Sequence, residues 1–417
     1  MSQATSVDPQ EPRIVCLLGA ATEIVCELGY AHCLVGRSHE CKRPKDIVAA
    51  LPQVSTPSFT LDACSAQLDD SVKQLAAKGL SRYAIDIDAL IALKPTVIIT
   101  QDQCSVCAVS SADLENASNE LFGPRCALVS LKPVTFEDLQ GNIRQIAAAI
   151  GCAGAGDRLL ERLLQNCATV QKRVASGGAP PRRVACLQWL NPLMGAGFWV
   201  PEMVTMAGGT NCFGEPGGTT PQITLDDLAE SQPEVIIAMV CGYTPKRALA
   251  DMPLLEADPQ WRALAAVKAD RVFVADGERY FNNSGPGFAD SVQLLREMIH
   301  PRAPPNSLRR LEPGAKPRTR HAASCEDARN TSDECGGEWG RGVFQCGATD
   351  GLGEAYVQWP ATLPLNYPSQ RLLKLGAKVQ GVESWPKPHD HRDDAGHLVE
   401  GGSASRVRHR AAPTLQT

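Results

Sequence analysis

An imidazole and three thiols stand in two short polar segments of this sequence. His39 and Cys41 lie in residues 36–41 (GRSHEC), and Cys104 and Cys107 form a CxxC pair in residues 100–110 (TQDQCSVCAVS). Such groups bind zinc or iron, and a thiolate is also a nucleophile. A structural zinc site requires four ligands, and residues 1–300 contain no second CxxC pair and no HxxxH pair. The sequence therefore predicts no metal site, and the CxxC pair fits a redox centre or the wall of a ligand cleft.

The choice of catalytic groups is narrow. Residues 1–299 contain only two histidines, His32 and His39, so an imidazole general base would have to be one of them. The sequence has no GxSxG, P-loop or HExxH motif, and no GxGxxG follows the first apolar run. These absences favour ligand binding over catalysis.

Apolar runs alternate with stretches of helical spacing, and this alternation predicts parallel sheets. Strands are predicted at 13–18, 34–37, 97–100 and 127–131, and again at 183–187, 234–239 and 271–274. A helix over 157–176, roughly 30 Å long at about 1.5 Å per residue, separates the two groups. The predicted fold is of the α/β class: two lobes with mainly parallel sheets joined by one long helix, a ligand cleft between them, and a disordered C-terminal tail.

Composition sets the predicted domain boundaries. They are an N-terminal tail at 1–12, a first α/β lobe at 13–134, connecting helices at 135–181, a second α/β lobe at 182–300 and a tail of low order at 301–417. The tail is rich in Pro, Arg, Gly and Ser and has no sustained apolar period, apart from a short apolar patch at 357–367.

Ligands bind beyond the carboxyl ends of the strands in open parallel sheets, so polar and aromatic residues that follow strands are candidates for a site. In the second lobe these are residues 188–189, 241–243 and 276–282, each after a predicted strand, and the aromatic pair at 198–199. Aromatic faces suit a large flat ligand, because large clefts are lined mainly by apolar and aromatic groups.

Several of these segments together resemble a known family. They are residues 21–25 (ATEIV), 34–41 (LVGRSHEC), 100–110, 199–203 (WVPEM) and 241–242 (CG). Over about residues 13–299 the chain resembles bacterial periplasmic binding proteins of the cobalamin and iron-siderophore type, the substrate-capturing components of ABC importers, and especially their cobalamin-binding branch. The resemblance implies a rigid cleft and a corrinoid, haem-like or chelated-iron ligand held without covalent change. Gln188 stands where the family has a glutamate.

The leading hypothesis is a non-enzymatic binding protein for cobalamin or an iron chelate, with a transporter or acceptor protein as its partner. The predicted ligand-binding residues are Thr22, His39, Glu40, Cys41, Gln101, Cys104, Cys107, Gln188, Trp189, Trp199, Cys241, Tyr243 and Tyr280. The alternatives are an intracellular enzyme that handles a tetrapyrrole or a thiolate-bound metal through His39 and Cys41, Cys104 or Cys107, and a scaffold for protein contacts. No catalytic residue is predicted, and the cofactor is left open, with cobalamin or an iron chelate expected as the ligand.

Charge and cysteine content bound the partners and the compartment. The net charge of −5 provides no field for nucleic acid, and no apolar run is long enough to cross a bilayer. The first residues lack the basic and apolar regions of a signal peptide, and the sixteen cysteines are expected to be reduced. These observations predict a cytoplasmic monomer, although the family is usually periplasmic.

Overall fold

A computed structural model describes residues 11–58, 65–77, 83–101, 126–283, 285–301, 346–347 and 355–359. All of them fall within one compact unit that spans Met1–Tyr367. Cys104 and Cys107 lie outside the described residues.

The first lobe is built on a sheet of parallel strands. Its elements in chain order are β1 (Ile14–Cys16), α1 (Gly19–Glu27), a 3-10 turn (Ala31–Cys33), β2 (Leu34–Arg37), α2 (Lys45–Ala49), β3 (Ser55–Pro57), α3 (Ser65–Ala77), β4 (Tyr83–Ile85), α4 (Ile87–Ala92), β5 (Val97–Gln101), β6 (Ala127–Leu131) and α5 (Phe136–Ala149). The sheet order is β2-β1-β5-β6, with every pairing parallel. Its central strands β1 and β5 are covered on both faces, which explains their continuous apolar sequences. Strands β3 and β4 form a separate antiparallel ribbon.

The long helix α6 (Ala153–Gly177) leads into the second lobe. The elements that follow are β7 (Arg182–Leu190), β8 (Leu193–Gly195), α7 (Val200–Met206), β9 (Gly209–Asn211), α8 (Leu225–Glu230), β10 (Val235–Ala238), α9 (Pro245–Glu256), α10 (Pro259–Ala263), α11 (Ala265–Lys268), β11 (Val272–Ala275), a π-helix (Gly277–Phe281), α12 (Phe288–Ile299), β12 (Cys346–Gly347) and β13 (Tyr356–Trp359). The sheet order is β12-β13-β11-β10-β7-β8, and β9 also pairs with β7. Strands β7, β9, β10 and β11 are parallel, whereas β8, β12 and β13 are antiparallel additions.

Helix α6 packs against α5 on one side and α12 on the other, so it connects the two lobes through one apolar core. Its 25 residues are about 37 Å long at about 1.5 Å per residue. It begins at Ala153, four residues before the predicted start. The reason is Gly156, where a Cβ would lie 2.6 Å from the Cβ of Ala147. This glycine lets α6 approach α5 closely and does not break the helix.

The predicted fold class is confirmed: the protein is α/β, with mainly parallel sheets and one long connecting helix. The exact domain boundaries stay a prediction.

Strand β13 lies in the region for which low order was predicted. It pairs antiparallel with β11, from Ala275 opposite Tyr356 to Val272 opposite Trp359. The ring of Tyr356 meets Phe273 edge-on at 5.7 Å, and Ala355 is buried. Four residues are too few to show a period in sequence, although the apolar patch noted at 357–367 overlaps this strand.

Candidate functional site

A crevice lies between the two lobes, beyond the carboxyl ends of β1, β2, β5 and β11. Its volume is about 100 Å³. We call its first-lobe side the first wall, formed by Leu18, Gly19, Ala20, Glu23, Glu40, Lys42, Arg43 and Gln101. We call its second-lobe side the second wall, formed by Trp199, Glu278, Asn282 and Asn283.

Two polar contacts join the walls. The ammonium group of Lys42 lies 2.7 Å from Oε2 of Glu278, and Nδ2 of Asn283 donates a hydrogen bond of 2.7 Å to Oε1 of Glu23. The partners are more than two hundred residues apart in sequence. At these two points the lobes are held together by contacts between side chains.

Glu23 is the more enclosed carboxylate of the first wall. Burial raises the pKa of its side chain, and the opposing effects of the Arg43 charge and the Asn283 hydrogen bond do not cancel that rise. The guanidinium Nε of Arg43 lies 3.6 Å from Oε1 of Glu23. The same oxygen therefore contacts both Arg43 and Asn283.

Glu40 is half exposed, and the ring of His39 contacts its carboxylate on the side away from the crevice. Nε2 of His39 lies 3.3 Å from Oε1 of Glu40, while Nδ1 of the same ring is 2.8 Å from the hydroxyl of Ser55 on β3. The ring of Tyr83 on β4 packs 4.7 Å from the His39 ring. Burial would raise the pKa of Glu40, but its contact with His39 and the charge of Lys42 hold it below the ordinary value. The β3–β4 ribbon thus positions the imidazole, and its Nε2 lies next to a carboxylate of the crevice.

The second wall is carried by core-packed segments. The indole N–H of Trp199 donates a hydrogen bond of 3.0 Å to the carbonyl of Phe281, at the end of the π-helix. That helix starts at Gly277, where a Cβ would overlap the carbonyl oxygen of Val240. The N–H of Asn282 donates to the carbonyl of Gly277 at 2.9 Å. Its side-chain Nδ2 and Oδ1 are both buried and have no hydrogen-bond partner among the described residues.

Three of the predicted site residues line the crevice, namely Glu40, Gln101 and Trp199. Three others lie behind its surface. The Thr22 hydroxyl bonds back to the Leu18 carbonyl within α1, and the Cys41 thiol lies 3.3 Å from the Ser38 hydroxyl, fully enclosed. Tyr280 packs in the core shared by both lobes.

The burial of Cys41 changes the chemistry expected of it. Removal from water raises the pKa of its thiol, and the same effect raises the pKa of the neighbouring Cys16. These thiols are therefore protonated core groups and not the exposed thiolates that metal binding or nucleophilic attack requires.

The remaining predicted residues of the second lobe do not line the crevice. Trp189 meets Tyr243 edge-on at 5.6 Å in the core on the other face of the second sheet. Gln188 accepts hydrogen bonds from the Gly197 N–H and the Thr220 hydroxyl. Cys241 is exposed just after β10. Successive residues of a strand face opposite sides, so a position after a strand did not determine which face of the sheet each of these residues joins.

The crevice also contains residues that the prediction did not single out. They are Leu18, Gly19, Ala20, Glu23, Lys42, Arg43, Glu278, Asn282 and Asn283. The available signal was position: each lies shortly after a strand, and residues 276–282 had been assigned to the rim as a segment. The choice of individual residues by side-chain type was less successful, because it favoured thiols and tyrosines over the asparagines that line the crevice.

One group of described residues has the spacing of a metal site, and it lies away from the crevice. Donor atoms of Glu11, His32 and Cys33 fall within 4.8 Å of one another, around the turn that precedes β2. Two of the three are exposed, and neither His39 nor Cys41 belongs to the group.

Two lobes with mainly parallel sheets, one connecting helix and a crevice between strand ends define a solute-binding protein of the α/β class. The chain belongs to the periplasmic binding protein family, whose model matches residues 14–278.

Individual relatives agree in fold. The chain is 24% identical over 155 residues to the vitamin B12-binding protein of Salmonella typhi; the match covers 37% of this chain and 54% of the relative, about half its length. The crystal structure of the periplasmic vitamin B12-binding protein of Vibrio cholerae has a TM-score of 0.52 at 20% identity, covering 70% of this chain and 98% of that one. A periplasmic haem-binding protein from Pseudomonas aeruginosa also has a TM-score of 0.52, at 19% identity, covering 70% and 94%.

The predicted cytoplasmic location is wrong, because the family and these relatives are periplasmic solute-binding proteins. The prediction relied on the composition of the first residues, whereas the evidence comes from the part of the chain that forms the fold. Among the described helices, none combines the length and the apolar character needed to cross a bilayer.

Proposed function

We propose that this protein binds a corrinoid or an iron-chelate solute in the crevice, without changing it covalently, and delivers it to a transporter of the ABC type. The observation that carries the proposal is the convergence of strand-end segments from both lobes on one crevice. The family supports a solute-binding role, and the relatives named for vitamin B12 and haem indicate the class of solute.

The crevice must widen to admit such a ligand. Pockets for ligands of ordinary size have volumes of about 300–1,000 Å³, several times the volume of about 100 Å³ found here. The contacts between the walls are suited to opening, because the Lys42–Glu278 ion pair is partly solvated and such pairs contribute about 0–1 kcal/mol. Ligand entry would replace these contacts with contacts to the solute.

An enzymatic role through His39 and Cys41 has less support. Cys41 is enclosed and protonated, and the hydroxyl of Ser55 beside His39 is also buried, so the described residues place no accessible nucleophile next to this imidazole. The environment of His39 instead supports a role for its imidazole in positioning the carboxylate of Glu40.

Titration of the purified protein with cyanocobalamin, hemin and ferrichrome tests the proposal. Binding at micromolar concentration should change the absorbance of one of these ligands and raise the melting temperature of the protein, since a ligand at about 100 times its Kd stabilises the folded state by about 2.7 kcal/mol. If none of the three produces either change, the proposed function is refuted.

A pair of variants locates the binding site. Gln101→Arg adds bulk and charge inside the crevice and should abolish binding. Gln165→Arg makes the same change on the exposed surface of α6 and should leave binding unaltered. Equal loss in both variants would contradict the crevice as the binding site.

A further inference from the structure

The side chain of Asn282 is an unused hydrogen-bonding group in the second wall. Its Nδ2 and Oδ1 atoms are buried without partners among the described residues, and so is Oδ1 of the adjacent Asn283. An asparagine side chain offers two donor hydrogens and an acceptor oxygen. A buried polar group left unpaired costs about 1–3 kcal/mol, so an unpaired amide on a ligand crevice indicates that something else completes its hydrogen bonds.

The charges of the crevice indicate what that partner is. Among the described residues that line the crevice, Lys42 and Arg43 are the cations, and they face the carboxylates of Glu278 and Glu23 respectively. Glu40 adds a third carboxylate. An anionic group that entered would meet more carboxylates than cations among the described lining residues, and it would have to compete for cations that are already paired.

We propose that Asn282 and the side-chain oxygen of Asn283 determine specificity by binding a carboxamide group of the solute in preference to a carboxylate. This inference rests on the proposed function, because it assumes that the solute occupies the crevice. It goes further by identifying the chemical group that is recognised and the residues that recognise it.

The hydrogen-bonding capacities match. A carboxamide donates through its nitrogen to Oδ1 of Asn282 and accepts through its oxygen from Nδ2, so both unpaired atoms are satisfied by one group. A carboxylate only accepts, so it pairs with Nδ2 and leaves Oδ1 unpaired. It also brings negative charge towards Glu23 and Glu40. Both effects disfavour a solute whose polar edge carries carboxylates.

The test compares two corrinoids that share the metal, the axial ligands and the macrocycle. Dicyanocobyrinic acid heptaamide carries carboxamides on its periphery, and dicyanocobyrinic acid carries carboxylates at the same positions. Titration at neutral pH should show at least about tenfold tighter binding of the heptaamide, the ratio that corresponds to one unpaired buried polar group. Hemin, which carries two carboxylates, should also bind more weakly than the heptaamide.

Variants at position 282 assign the effect. Asn282→Leu removes the donor and the acceptor and should reduce the affinity for the heptaamide about tenfold. The acid should lose less, because its lost hydrogen bond to Nδ2 is offset by removal of the unpaired Oδ1. Asn282→Lys supplies a cation and should shift the preference towards the acid. Asn166→Leu, on the exposed surface of α6, is the control and should leave the ratio of affinities unchanged.

The outcomes separate the two proposals. If the corrinoids, hemin and ferrichrome all fail to bind, the proposed function fails. If the wild-type protein binds the acid as tightly as the amide, or more tightly, the solute-binding function stands and the role of Asn282 is overturned. The wild-type comparison decides this even if a variant does not fold, which its melting curve would reveal.

Discussion

The two walls of the crevice differ in the charge and burial of their side chains. The first wall carries four charged side chains, and its most exposed members, Glu40 and Lys42, are held by contacts with other side chains. The second wall carries one charged side chain, Glu278, beside an indole that is only 6% exposed and two asparagines, on segments packed into the shared core. From this difference we infer that the first wall adjusts to a solute, whereas the second wall presents the fixed groups proposed to select it.

The largest expected effect is from Trp199→Ala in the second wall. Loss of a buried indole costs about 3–5 kcal/mol of unfolding free energy, and the Phe281 carbonyl also loses its donor. Lys42→Ala in the first wall should cost at most about 1 kcal/mol. Urea unfolding of both variants measures the contrast, and Trp199→Phe should give an intermediate loss. Equal costs for Trp199→Ala and Lys42→Ala would show that the walls do not differ in rigidity.

A smaller effect is expected from removing the strand that supports the second wall. A chain that ends at residue 301 lacks β13, so the edge of β11 and the Phe273 ring lose their cover. We expect the free energy of unfolding to fall by about 1–3 kcal/mol. A chain that ends at residue 367 keeps β13 and serves as the control. Equal stability of the two truncated chains would contradict a supporting role for β13.

The ion pair between the walls should affect rates more than stability. Lys42→Gln and Glu278→Gln each remove the contact of 2.7 Å, and the stability change should stay within about 1 kcal/mol. Both variants should bind the corrinoid with a higher association rate constant in stopped-flow measurements, because the crevice opens more readily. High salt should reduce the difference from the wild-type protein. Unchanged rates in both variants would exclude the pair as a barrier to entry.

The smallest effect is a difference in pH dependence between two carboxylates of the first wall. Glu40 has a lowered pKa, so its contribution to stability is present above the pKa of the unfolded chain and is lost as pH falls through the folded value. Glu23 has a raised pKa, so its contribution decreases as pH rises from the unfolded pKa through the folded one. The melting temperatures of Glu40→Gln and Glu23→Gln, measured between about pH 3 and 7, should therefore differ from wild type with opposite slopes. Parallel slopes would contradict these assignments.

The sheets could be predicted from sequence because buried parallel strands are continuous apolar runs. Strands such as β1, β5 and β10 were predicted to within a few residues for this reason. Helix α6 was predicted too short, since a glycine that permits close helix packing has the same appearance in sequence as one that ends a helix.

The crevice was harder to predict because it depends on which way each side chain faces. Thr22 and Glu23 are neighbours on α1, yet the first is buried and the second faces the crevice. Likewise, the contact between Glu23 and Asn283 joins residues 260 positions apart, and nothing in either local sequence specifies the other. Strand ends were a sound guide to segments, whereas the individual residues required the packed structure.

The π-helix before Asn282 has a consequence for the evolution and engineering of this fold. Its wide turn holds one surplus residue compared with an α-helical turn, as the bond from the Asn282 N–H to the Gly277 carbonyl spans five residues. Deleting a residue there would restore ordinary α-helical winding and rotate the two asparagines by about 100°. A single-codon deletion would thus redirect the proposed recognition groups while leaving the strands on either side intact.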